Sequence, residues 1–382
     1  MKICDKENCS GCGICSLVCK KNAIIMQEDD DGFIFPVIDE TICVSCNLCY
    51  KRCPVNHNKK RQPLDSLAII GNNNSLSASG GVFATIATRY LQEGSYVYAA
   101  TLSKKNKKFI VKHQRIKSVD DLKRFTGSIY SQSDITPIIE DVKEKLILKK
   151  KVLFCGTPCQ VQGIKNYVGD DNDNLLTIDL FCHGVPSNKM FNDYLIFLED
   201  RNKRNINCFT FRDKKRGWGL FPSVLFDNGK RKIYANTSSY YRLFLSGALN
   251  RTSCYNCRFA DNERVGDLSI GDFWGSQEFI ELQNRDKKNL SKTGISAVLV
   301  NTELGKSTLY EYEDDFSIYS SNIESIAEKN DAIMRPTKKN AFRESIMQVY
   351  RKEGYTGIEQ WFRNQFARQL FFSKLKNIVC KK

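Results

Sequence analysis

The chain has 382 residues, 41% hydrophobic and 26% charged, which suffices for two or three domains and excludes disorder as its general state. Sixteen cysteines beside only eight prolines and 23 glycines exclude a low-complexity linker and a short disulfide scaffold. Lys and Arg exceed Asp and Glu by 58 to 43, a formal +15.

The first twenty residues carry no apolar signal core, so a cytoplasmic, reducing compartment is expected. No stretch reaches the roughly 18 consecutive apolar residues of a spanning helix. Nine cysteines lie within the first 53 residues, and eight of them repeat one pattern: Cys9, Cys12, Cys15 and Cys19, then Cys43, Cys46, Cys49 and Cys53. Each run reads C-x2-C-x2-C-x3-C. Three thiolates on one short loop cover three corners of a cube, and the fourth comes from elsewhere in the chain. In this bacterial two-cluster ferredoxin spacing the fourth Cys serves the other run's cluster. One [4Fe-4S] centre is therefore assigned to Cys9, Cys12, Cys15 and Cys53, the other to Cys43, Cys46, Cys49 and Cys19. Zinc also uses C-x2-C pairs, but two complete four-cysteine runs with this period favour clusters. Pro54 closes the second run, whereas Lys20 stands at the matching place in the first. Between the runs, apolar stretches around Asp29–Gly32 predict a hairpin.

Residues 57–62 are polar and basic and Pro63 follows, which sets a boundary near residue 60. Beyond it LAIIG (67–71), a glycine turn with a helix (77–94) and a strand from Tyr96 to Leu102 read as β-α-β. KVLFC, GTPCQVQGIKNYV and LLTIDLFC repeat that order between Lys151 and Cys182. The fold class is α/β: a small α+β two-cluster domain (1–58), a mixed or parallel-sheet body (66–338) and a helical, basic amphipathic tail (339–382). Small residues at Ser77, Ser79, Gly80 and Gly81 suit close approach of a phosphate to a helix start, or simply a tightly packed cap. Asn228-Gly229 between apolar alternations marks a hairpin. In the tail, Ile358, Phe362 and Phe366 recur in steps of four beside Trp361, with Arg363, Arg368, Lys374 and Lys376 interspersed. Such a helix packs on the body or makes peripheral contact with an anionic membrane.

A second constellation joins Cys159 in GTPCQ, Cys182 in LFCHGVPS, and Cys254 with Cys257 in RTSCYNCRF. The ends of neighbouring parallel strands lie side by side, so the loops of Cys159 and Cys182 could converge. Residue types alone leave a third cluster, a zinc site and buried free thiols all open.

Together the ferredoxin runs, NNNSLSASGGVFATIATRYLQEG, FCGTPCQVQGIKNY, DLFCHGVPS, FRDKKRGWG and SCYNCRFADNERVGDLSIGDFWG resemble the coenzyme F420 hydrogenase/dehydrogenase beta subunit family, in a bacterial branch met with polysaccharide-synthesis proteins. The resemblance covers about residues 1–300. It implies an iron–sulfur flavoprotein with FAD in the body beside a third [4Fe-4S] cluster on Cys159, Cys182, Cys254 and Cys257, leaving Cys155 outside that set. It makes Ser79, Gly80 and Gly81 candidates for the flavin pyrophosphate, and Gly156, Thr157 and Pro158 for the flavin's surroundings. His183, in the HGVP that sets this branch apart from deazaflavin users, is the candidate proton donor; a hydrogen-bonded structural histidine is the other reading. Asp267 and Asp272 close the pocket or hold turns, and Trp274 flanks the ring or fills core. Arg212, Lys214 and Arg216 suit a cofactor phosphate, an acidic substrate or a solvated edge.

The expected protein is an oxidoreductase that passes electrons between a ferredoxin-like carrier and a flavin-bound two-electron substrate, either a deazaflavin or a small or sugar-linked molecule. A flavin-free electron-relay subunit serving a separate catalytic partner is the alternative. Nucleic acid is not an expected partner, because no RNA- or DNA-reading motif accompanies the charge.

Overall fold

The computed structural model describes residues 1–169, 172–234, 237–276 and 294–379, with the side chains of all of these except 216 and 368–379. The amino-terminal module is built twice over. Helix α1 (Ile14–Leu17) follows Gly13 at φ +79°, and helix α2 (Leu48–Lys51) follows Asn47 at φ +61°. Both cysteine runs thus place a left-handed residue between their second and third cysteines, a conformation that only Gly and, less readily, Asn adopt at low cost. Strands β1 (Ile24–Glu28) and β2 (Ile34–Ile38) pair antiparallel with Ile24 opposite Ile38. The Asp29 carboxylate caps their turn by accepting from the amides of Asp31 and Phe33.

The body contains β3 (Asp65–Gly71), α3 (Val82–Gln92), β4 (Tyr96–Lys105), β5 (Lys108–Ile116), α4 (Ile139–Ile147), β6 (Val152–Gly156), α5 (Pro158–Val168), β7 (Leu175–Leu180) and α6 (Asn188–Asn202). There follow β8 (Ile206–Thr210), β9 (Ser223–Phe226), β10 (Arg231–Ile233), α7 (Ser239–Leu245), β11 (Leu268–Asp272), β12 (Ser296–Val300) and β13 (Phe316–Ser320). Eight strands form one mixed sheet in the order β13-β3-β12-β11-β7-β6-β4-β5. Its middle, β11-β7-β6-β4, is parallel, and antiparallel strands flank it. β6-α5-β7 is the expected β-α-β unit with neighbouring strands. β3 and β4 share the sheet but have four strands between them, so the α3 connection crosses over the middle. Val152–Gly156 and Ser296–Val300 are buried along their whole length, as strands covered on both faces must be.

Helix α3 covers one face through Val82, Phe83, Ile86 and Tyr90, and α4 and α5 cover the other through Ile139, Val142, Val161 and Ile164. Thr157 starts α5 with a capping box, its side chain and that of Gln160 each satisfying the other's backbone amide, and Pro158 occupies the first turn. The Asn228-Gly229 hairpin joins β9 to β10 as expected. The carboxyl-terminal helix Arg343–Val379 is broken at Gly354 (φ +65°). Its residues Ile346, Met347, Tyr350, Tyr355, Ile358 and Phe362 belong to the core around α6 and α7, so this stretch packs on the body. Arg242 lies over Phe366 at 4.5 Å. The side chains of Arg368, Lys374 and Lys376 lie outside the described residues, as does the side chain of Arg216. No helix among the described residues is long and apolar enough to cross a membrane.

The amino-terminal module is clamped to the body. Arg251, only 1% exposed, donates from Nε to the Cys9 carbonyl at 2.6 Å, from Nη2 to the Ile34 carbonyl at 2.8 Å and from Nη1 to Gln132 at 3.2 Å. Its guanidinium also lies 4.1 Å from the centre of the Phe35 ring. Arg351 of the last helix grips both Asp31 oxygens at 2.7 and 2.8 Å. Replacing Arg251 with Met removes three donors while keeping the stem. Proteolytic cleavage in the 56–62 linker is then expected to accelerate about tenfold, as for loss of roughly 1.4 kcal/mol of docking; an unchanged rate would mean that the other clamps suffice.

Candidate redox site

The cysteines fall into three neighbourhoods. Cys15 feels the charges of Cys12, Cys9 and Cys53, and Cys12 those of Cys53, Cys9 and Cys159. Cys49 feels Cys46 and Cys19, and the terminal ammonium of Met1 feels Cys43 and Cys49. Cys53 of the second run thus lies beside Cys9, Cys12 and Cys15, and Cys19 of the first run beside Cys46 and Cys49. Burial pushes the Cys12 thiol up to about 12. Cys46 is exposed, so the second set lies toward solvent while the first faces the body. Cys4, which the spacing did not single out, sits within hydrogen-bonding reach of Cys53 and Cys9.

The third neighbourhood joins Cys159 at the start of α5, Cys182 just past β7, Cys254 in the short helical turn Thr252–Asn256 and Cys257 directly after it. All four line a cavity of about 50 Å3. Cys182 feels Cys254, Cys159 and Cys257, and burial raises its thiol well above the ordinary range. Burial likewise pushes Cys159 up to about 11 and Cys254 up to about 12. Metal binding would release those protons, since only thiolates ligate. Among the described residues no three His, Cys, Asp or Glu side chains close on one point; four thiols around a small void are a donor set that a cube-shaped cluster or a zinc ion could use. Cys155 stands apart in the core beside Asp179, and Cys208 is exposed on β8.

Buried ion pairs hold this loop. Arg264, 1% exposed, donates to Asp179, to the Phe259 and Asp261 carbonyls at 3.1 Å and to Ser269 at 3.1 Å. Asp179 also accepts from the Gly266 amide at 2.7 Å. Asp267 accepts from the Thr177 amide and hydroxyl and from Thr302, so it fixes a turn and does not face the cavity.

A larger cavity of about 590 Å3 opens at the carboxyl ends of β6, β7 and β11, where α/β sheets bind ligands. Ser79, Gly81, Gly156, Thr157 and His183 line it, together with Cys12, Cys159 and Cys182. Gly80 is buried behind it, where a Cβ would strike the Ser296 amide. Pro158 lines the small cysteine cavity instead. The Ser79 hydroxyl donates to the Ile295 carbonyl at 2.8 Å, so it is committed to the fold. His183 is tethered: its Nε2 lies 3.1 Å from the Leu245 carbonyl, and Thr337 donates to its backbone oxygen. Burial lowers its pKa. Asp272 walls the cavity by pairing with Arg212 and accepting from the Trp218 indole at 2.7 Å. Trp274 lines the cavity but stacks on Trp218, centroids 4.7 Å apart.

Sequence reading missed His113. This side chain is 1% exposed and lines the cavity. Its Nε2 donates to the Cys155 carbonyl at 3.0 Å, and its buried Nδ1 has no hydrogen-bond partner. Burial lowers its pKa to about 4, so the ring is neutral and, with Nε2 donating, Nδ1 carries the lone pair.

Comparison with known proteins agrees with this anatomy. Residues 8–57 match the 4Fe-4S dicluster domain family, and residues 149–326 match the family described as the C terminus of the coenzyme F420 hydrogenase/dehydrogenase beta subunit. The uncharacterised protein MJ1349 of Methanocaldococcus jannaschii is 24% identical over 347 residues, 79% of this chain and 86% of that protein. The pyruvate synthase subunit PorD of the same organism is 41% identical over 54 residues, 14% of this chain and 58% of that protein. A structure of the F420-reducing [NiFe] hydrogenase complex from Methanosarcina barkeri aligns at 16% identity with a TM-score of 0.43, over 82% of this chain and 94% of that one. The dicluster module and the body that carries it make the chain an iron–sulfur oxidoreductase of the electron-transfer kind. It joins a segment that matches the 4Fe-4S dicluster domain to a body whose residues 149–326 match the C terminus of the coenzyme F420 hydrogenase/dehydrogenase beta subunit.

Proposed function

We propose that the protein is an iron–sulfur flavoprotein that passes electrons from a ferredoxin-like carrier to a two-electron substrate in the 590 Å3 cavity, or in the reverse direction. The observation that carries this reading is one of contiguity. Cys12 of the amino-terminal module and Cys159 and Cys182 of the body line the same cavity, and Cys12 and Cys159 lie within electrostatic reach of each other. Clusters would supply one-electron transfer and a flavin its conversion to two-electron chemistry. The residues do the rest. The exposed Cys46 edge leaves the second set open to a carrier, while Arg251 holds the first set against α5 and the cavity. His113 offers a neutral acceptor to a ligand N–H or O–H, and His183 is held in place beside Cys182.

Iron, acid-labile sulfide and released flavin counted on one anaerobic preparation test this reading. About 12 iron and one FAD per chain are expected for three clusters and a flavin. About 8 iron, with no flavin taken up even on reconstitution, would sink it and leave a two-cluster relay whose chemistry belongs to a partner.

A further inference from the structure

A fifth thiol stands beside the first cysteine set. Cys4 lies outside both runs, yet it sits within hydrogen-bonding reach of Cys53 and Cys9, which enter that set from the two ends of the module. Two tethers hold it there. After it, the short turn Lys6–Asn8 folds the chain back, with the Asn8 and Cys9 amides each donating to the Asp5 carbonyl at 3.0 Å. Before it, Ile3 is buried and its carbonyl accepts from the Asn56 side chain at 2.7 Å. Asn56 is itself fixed on the turn after Cys53, its backbone amide donating to the Cys53 carbonyl at 3.1 Å. Each tether thus ends on one of the two cysteines that Cys4 approaches. The Cys4 side chain packs against the module core that includes Cys15, Cys49 and Cys53.

A free cysteine packs like any small apolar side chain, and what sets it apart is its reactivity toward metals and other thiols. A [4Fe-4S] cube takes one thiolate per iron, so beside Cys9, Cys12, Cys15 and Cys53 the fifth thiol has no corner of its own. It can take only a corner that a neighbour vacates. Cys12 lines the large cavity with Cys159, and Cys15 lies within α1, whereas Cys9 and Cys53 are the two that Cys4 meets.

We propose that Cys4 is an exchange ligand of the first cluster, able to replace Cys53 or Cys9 on its iron. In the exchange one Fe–S bond breaks and another forms. The incoming Cys4 thiol passes its proton to the departing thiolate, and no electron moves. The inference rests on the ligand sets of the amino-terminal module and not on the flavin, so a wild-type chain with about 8 iron and no flavin leaves it standing.

Full-length Cys4→Ala, Cys53→Ala, their double variant and Cys12→Ala are purified anaerobically, and iron and acid-labile sulfide are counted. Cys4→Ala and Cys53→Ala are each expected to keep the wild-type count. The double variant and Cys12→Ala each lose about 1 to 4 iron per chain, from one vacated corner to the whole cluster. Equal iron in Cys53→Ala and the double variant overturns the proposal. So does a full count in Cys12→Ala, which would move the first ligand set elsewhere. Should Cys53→Ala not fold, the native ligands give a second readout. Bathophenanthroline disulfonate draws out iron while a ligand is off its corner, and Cys4 refills that corner. In the phase after the exposed second set is stripped, Cys4→Ala is expected to release iron about 3- to 10-fold faster than wild type. An unchanged rate overturns the proposal.

Discussion

Replacing Cys254 and Cys257 together with Ser is expected to lower the iron content from about 12 to about 8 per chain and to disconnect the amino-terminal module from the cavity. The reason is positional. The two residues supply half of the thiols around the 50 Å3 void, and Cys159 and Cys182 alone cannot complete a cube. Serine is close in size, so the loop keeps its anchors at Arg251 and Arg264 and the eight amino-terminal cysteines keep their ligand sets. Reduced ferredoxin should then fail to reduce a bound flavin that dithionite still reduces. About 12 iron retained in the double variant would place the third ligand set elsewhere.

The second large effect is on stability. Asp179→Ala leaves the Arg264 guanidinium charged and 1% exposed with its carboxylate gone, and the Gly266 amide without its acceptor. Breaking one side of a buried ion pair costs about 3–5 kcal/mol. Denaturant unfolding of the anaerobic protein should show a loss of that order. Asp179→Asn, which keeps the amide's acceptor, should lose less. A change below about 1 kcal/mol for the alanine variant would mean that water reaches Arg264 after all.

The amino-terminal module was legible in the sequence because its chemistry is local: three of four ligands lie within seven residues, and even the crossed fourth ligand follows from the period. β6-α5-β7 was legible for the same reason, since capping chemistry at Thr157, Pro158 and Gln160 and the apolar runs lie side by side. The placing of β12 between β3 and β11 was not, because strand order is decided by pairing over long separations that no local pattern records. Candidate residues divided along the same line. Ser79, Gly81, Gly156, Thr157 and His183 reach the cavity, whereas Gly80 and Pro158 lie one residue off its surface. Arg251 and Arg264 were hidden among 58 basic residues, most of which belong at the surface. Their one signal is nearness to cysteines, Arg251 three residues before Cys254 and Arg264 seven after Cys257. His113 has none, because an alternating edge strand looks the same whichever face its histidine takes.

The grip of Arg351 on Asp31 spans 320 residues of chain. During synthesis at about 5–20 residues per second, the hairpin tip therefore waits roughly 16 to 64 s for its clasp to leave the ribosome. The amino-terminal module emerges first and completes its docking last. A chain truncated before Arg351 leaves the Asp31 carboxylate at the hairpin tip without its guanidinium partner, however far the rest of the body has folded.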